Sequence, residues 1–78
     1  MVKTLRQWRL EKLMGTKALA TAAGVSNKTI VQIEHGRQVP LLRTIRLISE
    51  ALEVPPREIT EFAEALDALE HYEGKARA

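Results

Sequence analysis

Hydrophobic side chains recur along this chain at three- and four-residue intervals, and no useful stretch alternates apolar and polar residues as a half-buried strand would. Glycines and prolines break the pattern into five segments, each long enough for a helix. Thr4 with Gln7 three positions later is a capping-box signal. It opens a first helix over about 4–14, with Leu5, Trp8, Leu10, Leu13 and Met14 spaced mostly for one broad face. Gly15 breaks it, and Thr16–Ala23 forms the second. In Gly24-Val25-Ser26 the glycine can take a positive φ and the serine is a strong N-cap. A third helix is therefore expected from Asn27 to about His35, where Gly36 suits the position after a helix end. Residues 37–40 lead to a fourth, about 41–52, with Leu42, Ile45, Ile48 and Leu52 at helical spacing. Val54-Pro55-Pro56 ends it, because proline disfavours helix at the residue before it. A fifth is expected over about 57–72, with Ile59, Phe62, Ala63, Leu66, Leu69 and Tyr72 on one stripe. The expected fold is all-α, one domain over 1–73, with 74–78 a frayed tail.

Composition narrows what such a bundle can do. Seventy-eight residues make one domain near the lower limit for an unstapled core. With no cysteine there is neither a disulfide framework nor a thiolate metal site, and His35 and His71 lie far apart without evident ligand partners. No metal and no cofactor are expected. No apolar run approaches the roughly 20 residues of a membrane span, and the N-terminus lacks a signal-peptide apolar core, so a cytoplasmic chain is expected. Aromatic residues number three (Trp8, Phe62, Tyr72), too few for a single-strand stacking platform. Glu61, Glu64 and Asp67 recur beside an apolar stripe as a solvated helix face does. No nucleophile–base set and no phosphate-cradling glycine loop is present, so an enzyme is not expected. The charge is lopsided: residues 1–46 hold nine Lys and Arg against two acids, net +7, and residues 47–78 hold three against eight, net −5. Taken alone, the split fits a basic face for a polyanion and two solvated helical surfaces of opposite sign equally well.

The second and third segments supply that half with a reader. Leu19, Ala23, Val25, Ile30 and Ile33 can meet inside two steeply packed short helices, Ala20 permits close approach, and Gly24 makes the turn. Asn27, Lys28, Val31, Gln32 and His35 are left on the third helix's outer side. A short, capped, polar-faced helix of this kind can put its first turn into a major groove. Here the chain resembles the Cro/C1 (Xre-type) helix-turn-helix family of phage repressors and bacterial regulators. The resemblance is carried by Arg9, Leu19-Ala20, Gly24-Val25-Ser26 and the string Ile30-Val31-Gln32-Ile33-Glu34-His35-Gly36-Arg37, and Pro40 and Ala51-Leu52-Glu53-Val54 extend it.

The resemblance implies a five-helix, lambda-repressor-like domain with helices two and three as the helix-turn-helix. It implies that Asn27, Lys28 and Gln32 read base edges, and that Thr16, Thr29, His35, Arg37 and Arg43 contact the DNA backbone, Thr29 also fitting a thymine methyl. It further implies a partly buried ion pair of Arg9 with Glu34. The chain departs from the family pattern at Leu13 (glycine is usual), Gly15 (serine or threonine), Thr16 (glutamine) and Leu41 (a polar residue). The expected function is sequence-specific double-stranded DNA binding by a transcriptional repressor. It would act as a homodimer through Ile59, Phe62, Leu66 and Leu69. The first rival is an antitoxin whose partner is a toxin protein, and the second is a DNA-targeting or architectural module of a longer enzyme or regulator.

Overall fold

In the computed structural model, which describes residues 1–77 and the side chains of residues 1–71, the helices are α1 (Leu5–Glu11), α2 (Thr16–Ala23), α3 (Asn27–Glu34), α4 (Leu42–Leu52) and α5 (Thr60–Arg77). A 3-10 turn, Pro56–Glu58, precedes α5. Among the described residues the only extended pairing is a parallel bridge between Lys3 and Ile59. The fold is the expected all-α bundle of five helices. The side chain of Tyr72 falls outside the described side chains, and of the tail expected at 74–78 the backbone is described as far as Arg77, where α5 ends.

The helix ends differ from expectation at three places, one of them the end of α5, expected at about 72 and found at Arg77. α1 stops at Glu11, short of residue 14. Leu13 takes the left-handed conformation (φ 58°), its N–H donates to the Leu10 carbonyl, and the Met14 N–H donates to that of Arg9. This is the Schellman closure usually made by glycine. Leu10 and Leu13 consequently face solvent, Leu13 at 93% exposure, and do not join the apolar face assigned to them. α5 begins at Thr60 and not at Arg57, because Pro55-Pro56 starts a 3-10 turn and Ile59 is extended to pair with Lys3. The same closure ends α2 at Gly24 (φ 73°), α3 at Gly36 (φ 69°) and α4 at Glu53 (φ 58°).

The core is one cluster drawn from all five helices and the connection between α4 and α5: Leu5, Leu19, Ala20, Ala23, Ile30, Ile33, Ile45, Ile48, Leu52, Val54, Ile59 and Phe62. Burying such side chains contributes roughly 1.5–3 kcal/mol each. Trp8 and Met14 pack at its rim. Leu42, expected on the buried face of α4, is instead 57% exposed. Ile59 and Phe62, expected at a subunit interface, are fully buried within the monomer, so neither has surface to offer a partner. The N-terminal segment is strapped to the base of α5. Lys3 N–H donates to the Glu58 carbonyl at 3.0 Å, Thr60 N–H to that of Lys3 at 2.9 Å, and the Trp8 indole to that of Glu58 at 2.8 Å.

Candidate nucleic-acid interface

α2 packs against both α3 and α4, and that packing leaves one side of α3 free. Ser26 caps α3: its side-chain oxygen accepts from the Thr29 N–H at 3.1 Å. Ile30 and Ile33 point into the core. At 100° per residue, the arc opposite them holds Asn27, Val31, Lys28, His35 and Gln32. Asn27, Lys28 and His35 are exposed, and Val31 and Gln32 half-buried.

α3 and its cap thus carry five of the eight predicted DNA contacts. Thr29 stands apart: its hydroxyl lies 2.8 Å from that of Ser26, inside the cap. Gln32 also differs from a ready base reader, because its Oε1 is buried with no hydrogen-bond partner. Thr16 is half-buried in the first turn of α2, while Arg37 follows α3 and Arg43 lies in the first turn of α4, both exposed.

The helix termini add to the positive field. None of the first turns of α1–α4 contains an acid. The N-caps of α2 and α4, Gly15 and Leu41, offer no side-chain hydrogen bond. Their first N–H groups are left for another acceptor, and the helix dipole makes an anion the favourable one. Among the described residues Lys17, Lys28, Arg37 and Arg43 enter no ion pair, so their charge is not neutralised within the chain. The C-terminal half behaves oppositely. Arg57 bonds both Asp67 and Glu70 of α5, and these carboxylates hold its pKa above the usual arginine value.

One pin sets where α3 stands. Arg9 of α1 grips Glu34 of α3 at two points, Nε to Oε2 at 2.7 Å and Nη2 to Oε1 at 3.0 Å, and its Nη1 donates to the Met14 carbonyl at 3.0 Å. Both side chains are buried. The hydrogen bond to Glu34 raises the Arg9 pKa further, against the opposing effect of burial. A two-point pair between flat groups fixes orientation as well as distance.

Sequence reasoning missed Glu61. It is not a freely solvated helix-face acid: its Oε1 accepts from the Leu5 N–H at 2.8 Å, closing the first turn of α1 from a residue 56 positions away. No local signal could have found it.

Two short helices joined by a left-handed glycine turn, with a polar outer helix set by a buried ion pair, define a helix-turn-helix domain. The helix-turn-helix family model matches residues 5–59, more than half of the chain. The protein belongs to the Cro/C1-type (Xre) helix-turn-helix family and is a DNA-binding regulator of that kind. No curated protein and no solved structure gives a significant match. Among the described residues no group of side chains could hold a metal ion, and no helix is long and apolar enough to cross a membrane.

Proposed function

We propose that the protein is a transcriptional repressor that inserts α3 into the major groove of a two-fold operator, as a homodimer. The observation that carries this reading is the free arc of α3, where exposed Asn27 and Lys28 sit at a helix start with no acid beside them. Asn27 and Gln32 suit adenine, and Lys28 suits guanine O6 and N7. Gln32 must turn outward to pair bidentately. That movement releases an acceptor now buried without a partner, a state that itself costs roughly 1–3 kcal/mol. Thr16, His35, Arg37 and Arg43 are the phosphate contacts that fix register, and Thr29 serves the cap.

The subunit surface is narrower than the full α5 stripe. Leu66 and Leu69 remain half-buried, and they line grooves beside Leu42 of α4. Val39 and Leu41, exposed at 76% and 70%, extend the same apolar surface. Contiguous exposed apolar area of this kind marks an interaction site. The α4 wall of the groove at Leu66 also carries Arg46, Glu50 and Glu53, so the apolar strip between α4 and α5 is edged by charges of both signs. An antitoxin would present the same surface to a toxin chain. Sedimentation of the purified protein distinguishes the two. Twice the chain mass, lost in Leu66→Glu/Leu69→Glu, supports the homodimer, and a monomer at high concentration, alone and on DNA, refutes it.

Selection from a random pool of duplexes tests the DNA reading. A self-complementary site should emerge. If six to ten phosphates are neutralised, log affinity should fall with log salt at about −0.9 per contact. No enriched sequence, or affinity unchanged between low and physiological salt, overturns it.

A further inference from the structure

Val31 lies outside the hydrophobic core cluster. It lies on the free arc of α3, four residues after Asn27 and three after Lys28, so it projects with those two proposed base readers. It is half-buried, yet it is absent from the hydrophobic side chains that pack on the core, a set that includes Trp8, Met14, Val25 and Leu47. A β-branched residue also weakens a helix slightly compared with the alanine or glutamate that an exposed position would favour. An aliphatic group set among amides and a lysine, on a surface suited to a groove, calls for an apolar partner there. The major groove offers one such group, the 5-methyl of thymine. Thr29, the other residue with a methyl for this purpose, is held in the Ser26 cap and lies off the arc.

We infer that Val31 reads a thymine by packing its two methyl groups against the thymine 5-methyl. The inference rests on the major-groove reading above and adds a contact of a different chemistry, one that discriminates by shape and water exclusion and uses no hydrogen bond. Cytosine lacks the methyl group, so Val31 would favour a pyrimidine position occupied by thymine.

The test compares the duplex recovered by selection with versions in which each thymine in turn is replaced by uracil, which removes the methyl and leaves base pairing intact. Wild type and Val31→Ala are both titrated on every duplex. Each protein is compared with itself, so any change in folded fraction cancels. Wild type should lose about fourfold in affinity at one thymine per half-site, the worth of one methyl group withdrawn from water. Val31→Ala should bind the thymine and uracil duplexes equally there while keeping its preference at the other positions. A preferred site whose thymines can all be replaced without loss, or a methyl effect that survives in Val31→Ala, overturns the role of Val31 and leaves the DNA reading standing. A pool that yields no preferred sequence removes both.

Discussion

The helix-turn-helix and the helices that flank it close their ends with the same hydrogen bonds but with different residues. α2 and α3 end on Gly24 and Gly36, for which a positive φ carries no steric penalty. α1 and α4 end on Leu13 and Glu53, which take the same φ of 58° with a Cβ in place. In an L-residue that conformation costs roughly 1–2 kcal/mol. The reading unit is thus closed without strain, while the frame around it carries some. The fold tolerates this because α1 is held by other means: the Arg9–Glu34 pin, the Glu61 cap on Leu5 and the Trp8 indole on Glu58.

Breaking the pin should have the largest effect on that balance. Arg9→Ala leaves Glu34 buried and unpaired, and should destabilise the fold by about 3–5 kcal/mol in chemical denaturation. Arg9→Lys, which keeps the charge but loses the two-point grip, should fall between it and wild type. Neither should change which DNA sequence is preferred by the folded protein. An unaltered unfolding midpoint in Arg9→Ala would contradict the pin.

The same contrast explains what the sequence made legible. Gly24, Ser26 and Gly36 are residue types with few alternative roles, and α2 and α3 lie where those residues place them. The end of α1 was not readable, because leucine rarely takes a left-handed turn. Gly15 therefore passed for the breaker, and Leu10 and Leu13 for core. The start of α5 was hidden for another reason: Ile59 is extended by pairing with Lys3, a contact that local propensity does not contain. The outer arc of α3 followed from helical period alone, whereas the inward turn of the Gln32 oxygen is a rotamer choice. Leu42 was expected inside and Ile59 and Phe62 at an interface. Periodicity marks an apolar stripe without saying which part of it the monomer itself covers.

Two substitutions at the helix ends should act as opposites. At Gly36 an added Cβ would meet no atom within 4 Å, so Gly36→Ala isolates the conformational term and should cost about 1 kcal/mol. Leu13→Gly relieves the same conformation at a side chain that packs on nothing. The gain, after the extra freedom glycine gives the unfolded chain, is about 0.5–1 kcal/mol, several degrees in melting temperature for a domain of this size. A loss of stability in Leu13→Gly would show that the exposed leucine makes a contact worth more than its strain. The smallest change concerns the other end of the α1–α2 turn. Gly15→Ser supplies the missing N-cap oxygen to α2, and stability followed by thermal melting should rise by only about a few tenths of a kcal/mol, since glycine is itself a tolerable cap.

The strap between the N-terminus and the base of α5 bears on the order of events during synthesis. α1 leaves the ribosome before the other four helices, yet the groups that close its first turn and seat its indole, Glu61 and Glu58, lie 56 and 50 residues after their partners in the chain. Nascent chains released before Glu58 should leave α1 open to protease while α2 and α3 are already paired, because their closures are local. Of these five helices, the one made before the others is then the last to be locked.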